Sequence, residues 1–147
     1  MEEAIRLSYE NVKSKNGGPF GAVIVSSDNK IVGKGVNSVT SNFDPTAHAE
    51  VVAIREACKN LKTPFLNNCT IYTSCEPCPM CYGAIRWAKI NKIFYANTRE
   101  DAKKIGFDDD SIYNEIINRK QNMTKLDNDN AIKSFHLWNN DENKIEY

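Results

Sequence analysis

No apolar run in the 147 residues approaches the roughly 18 that a membrane-spanning helix requires, so the sequence gives no membrane span. Neither sign of charge is in excess: 19 Lys and Arg stand against 19 Asp and Glu. A domain that grips several phosphates shows a basic stripe. The balance here, with a mildly acidic C-terminal third, argues against a nucleic-acid partner. The start, Met1-Glu2-Glu3-Ala4-Ile5-Arg6, lacks the basic leader and apolar stretch of a secretory signal, which predicts a cytoplasmic protein. Internal repeats, linkers and low-complexity segments are also missing, and the length suits one domain, residues 1–147. Five cysteines in such a chain do not read as a disulfide framework. Three of them are packed as Cys75-x-x-Cys78-x-x-Cys81, which fits metal-bound thiolates in a reducing compartment.

What is present alternates between the two periodicities. Residues 1–14 place Ile5, Ser8, Tyr9 and Val12 at helical spacing, and Asn16-Gly17-Gly18-Pro19 ends that helix. Phe20 to Val25 and Lys30 to Val36 are β-rich runs around Ser26-Ser27-Asp28-Asn29 and read as a hairpin. After a polar loop containing Asn37, a helix is expected near Thr46 with the stripe Ala47, Val51, Ile54, Cys58 and Leu61. Residues 69–96 read as strand, helix, strand, the helix carrying Met80, Ala84 and Trp87 on one face, and imply a parallel pair with a right-handed crossover. Residues 98–120 look helical with a break at Gly106 to Asp110, and residues 126–138 return to helical spacing. The fold class is therefore α/β with a mixed sheet.

Two short motifs carry the chemistry. Residues 46–51 contain His48-Ala49-Glu50, and residues 77–81 read Pro77-Cys78-Pro79-Met80-Cys81. One imidazole and two thiolates supply three ligands to zinc and leave a fourth tetrahedral position for water, while a carboxylate two residues from the imidazole is placed to move protons. Competing readings were set against this. An iron–sulfur run would continue x-x-x-Cys-Pro, but residues 82–86 are Tyr-Gly-Ala-Ile-Arg. A dithiol redox pair leaves His48 and Glu50 unexplained. A closed zinc site built from His48 and all three cysteines has a complete ligand count and would make the chain a structural interaction domain rather than an enzyme. Pro79 suits a first helical position, which puts Cys78 and Cys81 three residues apart on one helix face, whereas Cys75 lies in extended chain beyond Glu76-Pro77. Spacing alone leaves the Cys75 and Cys78 pair open.

The H-x-E and P-C-x-x-C pairing is that of zinc nucleobase deaminases. The chain resembles the cytidine-deaminase-like superfamily and, within it, the short bacterial-type guanine deaminases. The likeness runs through Gly17 to Ala22, the Asn37 loop, Asp44 to Glu50, Tyr72 to Cys81, Gly106-Phe107-Asp108-Asp109 and the closing Glu146-Tyr147. The resemblance implies a three-layer α/β/α fold around a five-stranded mixed sheet and one zinc per chain on His48, Cys78 and Cys81. It also implies Glu50 as proton shuttle and Cys75 as a non-ligand. Asn37 would hydrogen-bond a purine, Phe20 and Trp87 would wall it, and Asp109 would accept a hydrogen bond from the base or assist proton transfer. Tyr147 would reach in from the partner subunit of a homodimer that exchanges its C-terminal segments, about residues 121–147. The implied reaction is hydrolytic deamination of guanine to xanthine and ammonia, with adenosine in tRNA, guanosine or cytosine as rival substrates.

Each of these contacts also has a plain structural reading. Without the resemblance, Phe20 at a strand start and Trp87 on an apolar helix face read first as core residues, and Asn37 reads as a turn former. Asp108 to Asp110 read as a solvated loop or a helix N-cap, with Asp109 the first choice to face a ligand.

Overall fold

The computed structural model describes residues 1–119 and 123–146. In chain order the elements are α1 (Glu2–Lys13), β1 (Gly21–Val25), β2 (Ile31–Val36), α2 (Val39–Asn42), α3 (Ala49–Leu61) and β3 (Thr70–Cys75). Then come α4 (Pro79–Trp87), β4 (Lys92–Asn97), α5 (Arg99–Lys104), α6 (Asp110–Ile117) and α7 (Lys133–Asn140). The strands form one sheet in the order β2-β1-β3-β4. β1 is antiparallel to both β2 and β3, and β3 and β4 are the parallel pair of a strand–helix–strand unit.

Which face of the sheet each helix covers follows from the hairpin register. Ala22 pairs with Gly35 and Ile24 with Gly33, so all four share one face. A Cβ at Gly33 would run into the Ala53 carbonyl oxygen, and one at Gly35 into that of Ala49. The backbone of α3 therefore rests directly on β2. The opposite face takes α1, which packs against β1. The result is three layers, with the core formed by Ala22, Ile24, Ile71, Leu66, Ile85 and Ile90 between the sheet, α3 and α4.

Close approach explains why the expected apolar stripes are displaced. The residues of α3 that are buried are Ala49, Glu50, Ala53 and Ala57, because only small side chains fit where the helix meets two glycines; Ile54 and Cys58 flank that contact and Leu61 is exposed. In α1 the buried positions are Ala4 and Asn11, while Ile5, Tyr9 and Val12 face outward. In α4 they are Cys81 and Ile85, not Met80 and Trp87.

The expected fifth strand is not formed among the described residues, where the sheet has four. The chain is committed to helix immediately after β4. Thr98 accepts from the Asp101 backbone N–H while the Asp101 carboxylate accepts from the Thr98 N–H, a complete capping box for α5. Gly106, at φ +96°, then turns the chain toward α6. β4 is left as an edge with Phe94 and Tyr95 half exposed, and every described residue from 123 to 143 is exposed as well. No helix among the described residues is long and apolar enough to cross a membrane.

Candidate active site

Two helix starts meet at the end of β3. His48 is the N-cap of α3, with extended backbone at φ −70° and ψ 154°, and Cys78 is the N-cap of α4 at φ −65° and ψ 168°, followed by Pro79 at the first helical position. Helices α3 and α4 pack against each other, which brings Cys78 beside His48. His48 Nδ1 lies 3.4 Å from Cys81 Sγ and 3.6 Å from Cys78 Sγ, and the three ligand atoms are all within 4.8 Å of one another. A tetrahedral zinc site with Zn–S of about 2.3 Å and Zn–N of about 2.05 Å has an N···S edge of about 3.6 Å. The donor set and its spacing thus both fit zinc.

Charge at this cluster is set by the sulfurs. Cys78 is pushed down to about 4, first by the hydrogen bond from the Cys81 thiol and then, against burial, by His48. The same shared proton pushes Cys81 up, and the contact with Cys78 raises His48. One sulfur is thus a thiolate at neutral pH even where its neighbour keeps a proton, and it lies at a helix N-terminus, where the dipole favours an anion.

Glu50, in the first turn of α3, is only 6% exposed. Its Oε1 lies 3.4 Å from Thr73 Oγ1 and its Oε2 3.4 Å from Cys81 Sγ. Burial pushes its carboxyl above the ordinary carboxylate range. A carboxylate so placed is a proton carrier rather than a surface charge.

Cys75 is the remaining sulfur of the run. It ends β3 with its thiol donating to the Thr98 carbonyl at 3.5 Å, and burial pushes it up to about 11. It is not among the residues whose ligand atoms cluster.

A cavity of about 640 Å3 opens over the cluster. It is lined by His48, Cys78 and Glu50 on its floor, and by Asn37, Phe20 and Asp109 around its sides. Asn37 is buried, its loop pinned by Asn11, whose amide donates to Gly18 O at 2.9 Å and to Asn37 O at 2.8 Å. Asn37 Oδ1 accepts from the Gly18 N–H at 3.2 Å, which leaves its NH2 for an acceptor in the cavity. Phe20 meets Phe107 edge-on, with centroids 4.8 Å apart and planes at 88°.

Of the three neighbouring aspartates, Asp110 is not among the lining residues, and Asp109 has the least exposed side chain. Trp87 lies elsewhere: it is 66% exposed at the end of α4, with Lys89 Nζ 5.8 Å from its ring centroid, and does not line the cavity. Tyr147 falls outside the described residues.

The lining also includes Arg99 and Phe107, to which sequence reasoning gave no role, and Cys75, weighed there only as a rival zinc ligand. The Thr98 and Asp101 capping box was the available signal for Arg99. It fixes where α5 begins and so brings the first residue of that helix to the end of β4, beside the metal-binding cluster.

Comparison with known proteins yields a consistent set. Residues 1–97 match the family model of the cytidine and deoxycytidylate deaminase zinc-binding region. The guanine deaminase of Bacillus subtilis is 48% identical over all of this chain and 96% of its own. Its crystal structure superposes with a TM-score of 0.93 over 99% of this chain and 95% of that one. A tRNA-specific adenosine deaminase of Buchnera aphidicola is 40% identical over 83% of this chain and 78% of its own. The structure of a guanine deaminase from Nitrosomonas europaea is 31% identical with a TM-score of 0.69, covering 73% of this chain and 62% of that one.

Proposed function

The chain belongs to the cytidine and deoxycytidylate deaminase zinc-binding family, and within it we propose that this protein deaminates guanine hydrolytically, yielding xanthine and ammonia. The observation that carries the substrate is the reach of the likeness. The family region ends at residue 97, whereas the similarity to the Bacillus subtilis guanine deaminase continues through the whole chain, including the segment that brings Asp109 to the cavity. A zinc-binding region alone speaks for the chemistry; a 48% likeness over the whole of this chain and 96% of the relative, against 40% over 83% and 78% for the tRNA-specific adenosine deaminase, speaks for the base.

His48, Cys78 and Cys81 hold the zinc. When bound there, zinc supplies a Lewis acid that lowers the pKa of a water to about 7. Glu50 would take a proton from the attacking water and deliver it to the ring nitrogen N3 as C2 is attacked. It would then move the remaining hydroxyl proton to the amine at C2, which leaves as ammonia while the oxygen stays on C2 as the carbonyl of xanthine. The burial that raises Glu50 suits it to both halves of this exchange. Phe20 stacks on the purine, the Asn37 amide donates to a ring acceptor, and Asp109 accepts from a ring N–H. Guanine presents donors on its N1 and N2 edge, so an acidic acceptor discriminates for it.

The protein works as a homodimer whose C-terminal segments cross over, with Tyr147 of one subunit closing the partner's cavity. The exposure of Phe94 and Tyr95 on β4 and of Phe135 at 71% on α7 supports a face that another chain covers. Balanced charge supports a small base over tRNA as substrate.

The test is ammonia release from guanine, guanosine, adenine, cytosine and a tRNA arm, run beside Glu50→Ala. Turnover of guanine and an inactive variant that still holds one zinc support the reading. Guanine left intact with RNA adenosine consumed moves the protein to the tRNA branch, and an activity indifferent to Glu50 makes it an interaction domain.

A further inference from the structure

We propose that Arg99 is a positioning residue for guanine binding: it aims the Asp109 carboxylate into the cavity. This rests on the reading of Asp109 as acceptor for the purine N–H. Arg99 Nη2 donates to Asp109 Oδ1 at 2.9 Å and to Asp110 Oδ1 at 2.8 Å. With Oδ1 held, Oδ2 is the oxygen that Asp109 offers to a ligand, in one rotamer. Asp110 is tied a second time by Lys103, which also lies 3.4 Å from Asp108. The three aspartates are therefore sorted by two cations, and Asp109 is the one left facing the cavity with an uncommitted side.

Three further contacts anchor Arg99 and the ring it stacks on. Its central carbon lies 3.8 Å from the centroid of the Tyr113 ring, a stacked cation–π arrangement. The Tyr113 hydroxyl donates to Pro77 O at 3.4 Å, and the Arg99 backbone N–H donates to Glu76 Oε2 at 3.2 Å. Glu76 and Pro77 are the two residues before the zinc ligand Cys78. Arg99 and Tyr113 thus form a strut between the loop that carries the metal ligand and the loop that carries the purine acceptor. This sets where the purine acceptor sits relative to the metal ligand.

One detail sets this arginine apart from an ordinary surface ion pair. Its Nε is buried and has no hydrogen-bond partner among the described residues. A guanidinium placed for packing or solubility turns to satisfy such a donor. Here Nη2 is held on both Asp109 and Asp110 at the expense of Nε, the kind of local frustration that collects at functional sites.

The experiment is a double-mutant cycle on the zinc-loaded, full-length protein with Arg99→Gln, Asp109→Asn and the pair, reading kcat, KM, zinc content and Tm. Arg99→Gln is expected to raise KM for guanine about tenfold, the loss of roughly one positioned hydrogen bond, with kcat within about threefold and zinc retained. The double variant is expected to match Asp109→Asn within about twofold, because the arginine acts only through that carboxylate. Arg99→Lys, which keeps the charge but not the fork or the stack, should recover part of the loss, and Tyr113→Leu should reproduce it.

Independent, multiplying effects of the two substitutions, or an unchanged KM in Arg99→Gln, overturn the inference while leaving the guanine reading intact. Loss of zinc or of folding in Arg99→Gln, Arg99→Lys and Tyr113→Leu alike also overturns it, by making the strut purely structural. A wild-type protein that leaves guanine unchanged overturns the underlying reading instead.

Discussion

Cys81 Sγ lies 3.4 Å from Glu50 Oε2, so a sulfur of the candidate metal cluster and the buried carboxylate proposed as proton carrier are in direct contact across two helices. Both are buried, and each is fixed by the first turn of its own helix. Holding the ligand and holding the proton carrier are therefore separable by chemistry although not by position.

Glu50→Gln is expected to keep one zinc per chain and lose at least about 100-fold in kcat, the contribution of a general acid–base group. Metal analysis beside steady-state ammonia release checks it. A variant that loses its zinc would make Glu50 a structural support for the ligand cluster.

Gly35→Ala places a methyl group against the Ala49 carbonyl oxygen, one residue before Glu50. Overpacking of this kind costs about 1–3 kcal/mol, and the shift it forces falls on the helix start that carries the catalytic carboxylate. Thermal unfolding should show a fall in Tm of about 2–8 °C, and kcat should drop at temperatures where the variant is still fully folded.

Most elements within residues 1–100 were readable: the hairpin, the strand–helix–strand unit and the helix after Pro79 follow from periodicity and turn residues, whereas α2 (Val39–Asn42) was read as a polar loop and α3 was expected from about Thr46 rather than Ala49. The buried faces of α1, α3 and α4 were not. Hydropathy marks large apolar residues as core, whereas here alanines are buried because Gly33 and Gly35 admit the helix backbone, and Asn11 is buried because two carbonyls take its amide. The candidate metal cluster was legible in outline because a fixed spacing on a helix start is local, but spacing left Cys75 open as a ligand and the three-dimensional clustering leaves it out. Arg99 was not, since its role depends on loops brought together from residues 76 and 109, a distance in sequence that no local pattern encodes.

Acid sensitivity should be visible at the junction of α1 and β2. Arg6 and then Lys34 hold the Glu3 carboxyl down at about 2, well below its ordinary 4.5, through contacts of 2.7 and 2.6 Å. A carboxyl lowered in the folded state contributes stability that is present above its unfolded value and is lost as pH falls toward its folded one. Urea unfolding of wild type and Glu3→Gln should differ by a constant amount above about pH 5, and that difference should close between pH 4.5 and 2. A gap that widens on acidification would contradict the assignment.

The proposed crossed dimer makes two predictions. Light scattering of the full chain should give twice its 16.6 kDa, and a chain ending before Met123 should give a monomer. Glu50→Gln and Tyr147→Ala variants, each inactive alone, should recover activity when unfolded together and refolded, because a mixed dimer has one complete site. Absence of recovery would mean that each tail closes its own cavity.

Zinc K-edge X-ray absorption on the purified protein is the most direct test of the three-ligand centre. Two sulfurs at about 2.3 Å with two nitrogen or oxygen ligands at about 2.0–2.1 Å are expected, unchanged in Cys75→Ser. Three sulfurs, with one lost in Cys75→Ser, would mean a closed structural site and would contradict the account.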